Sequence, residues 1–326
     1  LISQSGAICT ALLDWAQPNG VGFSTVVSLG ASIDLDFGEI LDYMIADPQT
    51  ESIFMYIEGI RDARRFMSAV RAAARVKPVF AIKVGRHRAG SKAVASHTGA
   101  MVGSDDVFDA ALRRAGVVRL ANLGQMFSAA NALFTGFKPS GKRLAVVTNG
   151  GGPGVMASDR AADLGITLAT LSPESMDVLN GALPPSWSHE NPVDLNGDAD
   201  AARYRIALQA VLADPGVDGV LAMLTPQALT QPTAVAETVI EIAATAGKPL
   251  MTCWMGGEQV RAARVLFENA HLPTFRSPEP AVELFHHISS YYRNQQLLRH
   301  APASLAQDLD PPSVESARLV IETALS

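Results

Sequence analysis

A histidine in a run of small polar residues is the first candidate for chemistry in this sequence. His97 lies between Ser96 and Thr98 and is followed by Gly99, within a Gly- and Ser-rich stretch at 85–104. That composition predicts a polar loop, and a long loop inside an α/β domain usually has a functional reason. An imidazole among small neighbours can rotate freely and titrates near neutral pH. His97 is therefore a candidate nucleophile or acid–base group, with a surface histidine as the alternative.

A carboxylate at a predicted strand end adds to this candidate. Glu58 follows the apolar run 52–57, which is typical of a parallel strand covered on both faces. Glu58 would then lie at the carboxyl edge of the sheet. A carboxylate beside an imidazole fixes its tautomer and stabilises its cationic or phosphorylated form. A solvated loop glutamate is the alternative interpretation.

Two strand-to-helix turns are candidate anion sites. The first contains Ser5 and Gly6, and the second, at 149–154, contains Gly151 and Gly152. The first N–H groups of a helix have no partner within the helix, and they favour an anion together with the helix dipole. Neither turn has the ending of a P-loop or the spacing of a dinucleotide fingerprint. The turns therefore predict one phosphoryl group held between helix ends, which His97 would carry.

Apolar strand runs and Ala-rich helices alternate along the chain and predict the framework that positions these residues. The first half predicts strands at 1–3, 22–29, 52–57, 78–84 and 117–119, with helices at 7–17, 37–44, 61–74, 105–115 and 123–134. The second half predicts strands at 143–148, 217–224, 249–254 and 273–275, with helices at 155–164, 234–246, 259–269 and 280–293. This order predicts an α/β fold of two tandem flavodoxin-like domains with parallel sheets.

The two halves read as a repeat. The Lys-Pro pair at Lys77 matches the pair at Lys248, and the turn at Ser5 matches the turn at 149–154. The first copy has extra residues that contain His97, and the second has an insertion at 184–194. Both additions would lie at the carboxyl edge of a sheet, where this architecture binds ligands.

A polar connector with Pro and Gly follows the last predicted helix of the first half and marks a domain boundary. It predicts a first domain at 1–137 that carries the His97 loop, a second domain at 138–295, and a linker at 296–326. The chain begins at Leu1 and ends within a helical pattern, so we expect it to be a piece of a longer protein.

Bulk composition narrows the classes of partner. The net charge of −6 does not favour nucleic acid, since phosphate binding over a large surface needs a basic face. No apolar run reaches the roughly 20 residues of a membrane span, and no signal peptide is visible. Cys9 and Cys253 lie in apolar contexts, which predicts reduced thiols in the cytoplasm. Cys and His do not cluster, so no metal site is predicted.

Several short motifs together resemble one family. They are Gln4-Ser5-Gly6, Lys83-Val84-Gly85-Arg86, Ser96-His97-Thr98-Gly99-Ala100 followed by Gly103-Ser104-Asp105, Thr148 to Gly154, and Asn191-Pro192-Val193-Asp194. Over nearly all of residues 1–295 the chain resembles the NDP-forming acyl-CoA synthetases, which are relatives of succinyl-CoA synthetase. The resemblance implies two succinyl-CoA-ligase-like flavodoxin domains.

The resemblance implies a phosphohistidine relay. In this family acyl-CoA and phosphate give an acyl phosphate and CoA, and the phosphoryl group passes to a histidine and then to ADP. His97 would be the phosphorylated residue and Glu58 its carboxylate partner. The phosphate would be bound by the two turns already described.

The resemblance also implies supporting residues and further domains. Ser96, Thr98 and Gly99 would support a His97 loop that swings between sites, and Asp194 would orient the phosphate-binding loop or an interface. CoA or acyl-CoA and phosphate would be the ligands. An N-terminal CoA-binding domain and a C-terminal ATP-grasp domain that binds Mg-ADP or Mg-ATP would lie outside this chain.

A second function stays open at this point. Residues 184–204 most resemble the synthetase-like part of Pat-type bacterial protein lysine acetyltransferases. This implies a non-catalytic region that senses acetyl-CoA, regulates a fused acetyltransferase domain or forms a homo-oligomer. The pair of Glu58 and His97 favours the enzyme, because a regulatory copy has no chemical need for either residue. A flavodoxin-type FMN binder is disfavoured, since the aromatic loops that would stack on the flavin ring are absent.

Overall fold

Two parallel β-sheets, each with helices on its faces, make up the protein in the computed structural model. The structure describes residues 1–30, 32, 34–98, 104–134, 136–139 and 141–299, together with 315, 318, 322 and 323. For residues 93, 95, 97, 98, 134 and 297–299 only the backbone is described. The predicted α/β class with two tandem parallel-sheet domains is confirmed.

The first sheet has the strand order β2-β1-β3-β4-β5, with all strands parallel. Its strands are β1 (Ile2–Ser3), β2 (Val27–Ser28), β3 (Ile53–Ile57), β4 (Val79–Lys83) and β5 (Val118–Leu120). Its helices are α1 (Gly6–Ala16), α2 (Phe37–Ala46), α3 (Ala63–Val76), α4 (Arg88–Thr98), α5 (Asp105–Ala115) and α6 (Leu123–Phe134). The order reverses direction at β1, so the carboxyl ends of β1 and β3 border the crevice where such sheets bind ligands.

The second sheet repeats this order as β11-β10-β9-β6-β7, and the short β8 pairs in parallel with β6. Its strands are β6 (Arg143–Thr148), β7 (Thr167–Leu168), β8 (Val193–Asp194), β9 (Gly219–Leu224), β10 (Leu250–Trp254) and β11 (Thr274–Phe275). Its helices are α7 (Gly151–Asp163), α8 (Pro173–Ala182), α9 (Ala201–Ala213), α10 (Pro232–Ala243), α11 (Arg261–Asn269) and α12 (Pro278–Arg299), with a 3₁₀ turn at Glu258–Val260.

One sequence-based prediction of local structure was wrong. Residues 88–98 form helix α4, where a polar loop was predicted. Alanine has the highest helix propensity, and Val94 is buried as an apolar anchor, so Gly and Ser in this stretch did not prevent the helix. Helices α8 and α9 and strand β8 lie between β7 and β9, where the sequence predicts the insertion of the second copy. Helix α12 continues to Arg299, beyond the predicted start of a linker at 296.

The two sheets share one hydrophobic cluster. It joins Leu12 of α1 and Ala129 of α6 with Ala157 of α7 and Phe285 of α12, so each domain supplies one helix-covered face to the same core. Cys9 and Cys253 are both free and buried in this cluster, as predicted. A helix of the length and apolar character needed to span a bilayer is absent from the described residues.

Helix α12 lies along the seam between the domains and makes polar contacts on both sides. Glu283 accepts hydrogen bonds from Arg160 of α7 at 2.6 Å and from Gln125 of α6 at 2.9 Å. Near the other end of α12, the Gln295 amide donates to the carbonyl of Ala74 in α3. The helix therefore bonds to both domains near its start and to the first domain again near its end.

Stability should depend on pH through His287 of α12, which is 8% exposed. Burial, with the charges of His286 and Arg160, lowers the pKa of His287 from 6.5 to about 3. Between these values the unfolded chain binds a proton that the folded chain does not, so stability falls as the pH falls. We expect the free energy of unfolding to drop by up to ~1.4 kcal/mol per pH unit through this residue.

Urea unfolding of wild type, His287→Phe and His87→Phe between pH 6.5 and pH 4.5 checks this expectation. His87→Phe serves as the control because His87 is exposed. The slope of stability against pH should decrease only in His287→Phe. Equal slopes in all three proteins would contradict the assignment.

Candidate active site

The turn between β1 and α1 leaves the start of the helix open to a ligand. Ser3 Oγ accepts a hydrogen bond from the Ser5 N–H at 3.0 Å and donates to the Ser5 carbonyl at 2.8 Å, which closes the turn from the strand side. Ser5 is the N-cap residue, and its side chain makes no capping hydrogen bond. Gly6 begins the helix, and a Cβ there would find its nearest atom only at 3.6 Å. The first N–H groups of α1 therefore remain without a side-chain cap.

Gln4 connects this turn to the end of β3, where Glu58 lies. Its Oε1 accepts from the N–H of Glu58 at 2.6 Å and of Gly59 at 3.1 Å, and its Nε2 donates to the Gly59 carbonyl at 3.0 Å. The Glu58 side chain is 8% exposed, and its buried Oε2 has no hydrogen-bond partner among the described residues. A buried carboxylate oxygen without a partner is costly, so it indicates a place for a proton donor.

The carboxylate affects its surroundings through its charge. Burial raises the pKa of Tyr56, and the nearby Glu58 raises it further. Tyr56 pairs with Ser3 across β3 and β1. The negative charge of Glu58 therefore lies at the same sheet edge as the open end of α1.

The turn between β6 and α7 has the same construction in the second domain. Thr148 Oγ1 accepts from the Gly150 N–H and donates to the Gly150 carbonyl, both at 3.1 Å. Asn149 Oδ1 accepts from the Thr225 N–H at 2.8 Å, and its Nδ2 donates to the Thr225 carbonyl at 2.8 Å. Ser3 and Gln4 of the first domain thus correspond to Thr148 and Asn149. The predicted equivalence of the two turns is borne out in this geometry.

Helix α7 presents two N–H groups in its first turn that have no partner among the residues the structure describes. Gly150 caps the helix without a side chain, Pro153 has no N–H, and the Gly154 N–H already bonds to the Gly150 carbonyl at 3.4 Å. The N–H groups of Gly151 and Gly152 therefore remain available to a ligand. No atom lies within 4 Å of a Cβ built on Gly152, so this side of the turn is open. The arrangement fits a small anion approaching the backbone.

Asp194 lies beside this second turn. It ends β8 and pairs with Thr148 of β6, and its Oδ2 would lie 3.4 Å from a Cβ at Gly151. Its Oδ1 accepts from the Asn196 N–H at 3.0 Å. A carboxylate at the start of a helix is favoured by the dipole. Asp194 is therefore next to the predicted phosphate-binding turn.

The predicted residues fall into two groups, each on one sheet. Ser5 and Gly6 lie with Glu58 at the edge of the first sheet, and Gly151 lies with Asp194 at the edge of the second. Ser96 Oγ donates to the Lys92 carbonyl at 2.9 Å within α4, so this hydroxyl serves the helix.

His97 belongs to α4, and the loop predicted for it is corrected to a helix that ends at Thr98. The side chains of His97 and Thr98, and the whole of Gly99, lie outside the described part of the structure. The roles predicted for these three residues stay predictions.

Sequence reasoning missed the amides that build the site. Gln4 and Asn149 were noted only as parts of motifs, although each spans two strand ends. Asn191 was missed in the same way: its Oδ1 accepts from the Val146 N–H, and its Nδ2 donates to the carbonyls of Leu144 and Ala169, each at 2.9 Å. The sequence offered one signal for Gln4 and Asn149, which is that each amide directly follows an apolar strand run.

The Gln4 bridge should be measurable as stability. Gln4→Leu leaves two N–H groups and one carbonyl near the protein interior without partners, so we expect a loss of about 2–3 kcal/mol in the free energy of unfolding. Gln17→Leu, at the exposed end of α1, is the control and should change stability by less than about 0.5 kcal/mol. Chemical denaturation measures both, and equal values for the two variants would contradict the bridge.

Comparison with known proteins assigns both domains. Residues 1–133 match the family model described as the succinyl-CoA ligase like flavodoxin domain. Residues 144–295 match the ligase-CoA domain. These two matches coincide with the two sheets.

Curated relatives are ligases of one type. Acetate–CoA ligase [ADP-forming] I of Archaeoglobus fulgidus is 38% identical over 325 residues, which is 99% of this chain and 46% of the relative. The alpha subunit of acetate–CoA ligase [ADP-forming] I of Pyrococcus furiosus is 38% identical over 295 residues, which is 90% of this chain and 63% of the relative. The chain thus spans about half to two thirds of these relatives.

A solved structure has the same fold. Acetyl-coenzyme A synthetase 1 of Candidatus Korarchaeum cryptofilum, in complex with phosphate and ADP, superposes with a TM-score of 0.85 at 33% identity. The match covers 93% of this chain and 66% of that one. The relatives named here do not favour the acetyltransferase-linked alternative. The chain belongs to the NDP-forming acyl-CoA synthetase family and comprises its succinyl-CoA ligase-like flavodoxin domain and its ligase-CoA domain.

Proposed function

We propose that this chain is the phosphohistidine-bearing part of an ADP-forming acyl-CoA synthetase of the acetate–CoA ligase type. The enzyme would interconvert acyl-CoA, ADP and phosphate with the free acid, CoA and ATP. The main support is the buried Glu58 carboxylate, whose Oε2 has no partner in the described part of the chain, at the same sheet edge as the uncapped start of α1. That arrangement suits a group that carries both a proton and a phosphoryl anion. Phosphohistidine is such a group.

The proposed reaction has three steps. A phosphate oxygen attacks the thioester carbonyl, the C–S bond breaks, and CoA leaves as a thiolate that takes up a proton. A ring nitrogen of His97 then attacks the phosphorus of the acyl phosphate, and the P–O bond to the acyl group breaks to release the carboxylate. Finally, a terminal phosphate oxygen of ADP attacks the phosphorus, the N–P bond breaks, and ATP and the imidazole are formed.

The chain's own residues would stabilise charge in the first two steps. Glu58 would accept the N–H of the His97 ring, so that the other nitrogen is free to attack and the ring's positive charge is balanced. The Ser5 hydroxyl and the Gly6 N–H, with the N–H groups of Gly151 and Gly152, would bind the phosphoryl oxygens. Asp194 would hold the second turn in place.

Further domains would complete the enzyme. A CoA-binding domain and an ATP-grasp domain with Mg-ADP or Mg-ATP are expected partners, since the relatives extend well beyond the matched region. We assign residues 1–137 and 138–295 to the two domains and expect the enzyme in the cytoplasm. An acetyltransferase partner has no support from the relatives named above.

Phosphorylation of His97 tests the proposal directly. The full-length enzyme is incubated with ATP labelled at the γ-phosphate, and the acid-labile label is located by mass spectrometry. His97→Ala should lose the label and should form no ATP from acetyl-CoA, ADP and phosphate. His87→Ala, an exposed histidine in the same segment, should keep both. Turnover by His97→Ala at the wild-type rate would refute the mechanism.

Glu58→Gln tests the carboxylate. The amide has the same shape but cannot balance the charge of the imidazolium, so we expect the rate of His97 phosphorylation to fall by about 10²–10⁴-fold. Glu51→Gln, an exposed residue ahead of β3, is the control. Single-turnover labelling gives the rates, and an unchanged rate in Glu58→Gln would remove Glu58 from the mechanism.

A further inference from the structure

A buried lysine lies beside Glu58 and has no role in the mechanism above. Lys83 is the last residue of β4 and is 5% exposed. It pairs with Ile57 in the parallel register of β3 and β4, so it lies next to the residue that precedes Glu58. Lysine is almost never buried to this extent without a charged partner. Its position at the carboxyl edge therefore needs an explanation.

The ammonium group of Lys83 contacts two different elements. It donates a hydrogen bond to the Val84 carbonyl, and it lies 5.6 Å from the ring centroid of Phe108 in α5, over the aromatic face. No carboxylate lies within ion-pair distance of it among the described residues. Asp105, the acidic residue of α5 whose charge acts on Lys83, is bound by Arg119 at 2.5 Å. Burial lowers the pKa of Lys83, while Asp105 and Glu58 oppose that shift.

Val84 and α5 are the two ends of the segment that carries His97. The chain leaves the sheet at Val84 and turns at Gly85, whose φ is +71°. Ser91 Oγ donates to the Gly85 carbonyl at 2.7 Å, and a Cβ on Gly90 would lie 3.3 Å from Gly85 Cα, so α4 is packed on this turn. The described part of the chain resumes at Ser104, and α5 begins at Asp105. Lys83 thus contacts Val84, just before the segment that carries His97, and α5, just after it.

We propose that Lys83 is a positioning residue that holds the base of α4 against α5 and so fixes the backbone of the helix that carries His97. This inference rests on the proposed function. The ammonium satisfies the Val84 carbonyl and holds the ring of Phe108 at the same time. Without the ammonium group, the turn at Val84 and Gly85 loses its link to α5. The backbone at the start of α4, which leads to His97, is then less firmly held.

Three variants of the full-length enzyme test this role. Lys83→Met keeps the length and removes the charge and the donors, whereas Lys83→Arg keeps both. Lys77→Met is the matched control, because the Lys77 ammonium also binds backbone carbonyls, those of Met44 at 2.5 Å and Asp47 at 2.6 Å, but at the opposite edge of the sheet. The readouts are the single-turnover rate of His97 phosphorylation, KM for ADP, and hydrogen exchange of the backbone at 84–92.

We expect Lys83→Met to lower the phosphorylation rate by about 10–100-fold, since a misplacement of roughly 1 Å has an effect of this size. KM for ADP should change little, and hydrogen exchange at 84–92 should become faster. Lys83→Arg should recover most of the rate, and Lys77→Met should match wild type in all readouts.

Two results would overturn the role of Lys83. One is wild-type exchange at 84–92 in Lys83→Met, and the other is an equal loss of rate in Lys77→Met, which would indicate general destabilisation. Absence of label on His97 in the wild-type enzyme would instead reject the proposed function. The exchange measurement would still decide whether Lys83 holds the base of α4.

Discussion

The unsatisfied N–H groups at the start of a helix are the constraint on which this site depends. Each sheet must close its first strand-to-helix turn without covering these groups, and both domains do so in the same way. A hydroxyl at the strand end, Ser3 or Thr148, bonds to the residue two positions on, and the next amide side chain reaches across to the neighbouring strand. The turn is then held entirely from the strand side. The first N–H groups of each helix are then left without a side-chain cap, and in the second domain the Asp194 carboxylate lies beside them.

The two domains differ in what they place beside this open end. The first has Glu58 directly after β3, tied to the turn by Gln4. The second has Thr225 at the corresponding place, and its carboxylate, Asp194, comes from the additional strand β8. One framework thus carries two acidic groups of different origin. The repeat explains why the two turns have the same geometry. The insertion that contains β8 explains why the carboxylate of the second domain comes from a different strand.

Charged side chains from several elements lie at the carboxyl edge of the first sheet, and two of them, Glu58 and Lys83, are buried. Glu58 and Lys83 follow or end adjacent strands, while Asp105 and Arg119 form an ion pair at the start of α5. Lys83 interacts through a carbonyl and an aromatic face, which leaves the Glu58 oxygen Oε2 without a partner among the described residues. A buried carboxylate oxygen without a partner costs stability, so its position indicates a place for a proton donor. Away from this edge, the Glu283 carboxylate of α12 is paired from both domains, by Gln125 and by Arg160.

The sequence alone determined the fold class, the repeat, the two turns and the position of Glu58 at a strand end, because these follow from local periodicity and from glycine at fixed offsets. It did not determine that residues 88–98 form a helix, since alanine propensity and the burial of Val94 outweigh the local Gly and Ser. Only the tertiary structure brought Gln4 to Gly59 and Lys83 to Phe108. Those contacts join residues distant in sequence, and their geometry depends on strand register and helix packing, which no local pattern encodes.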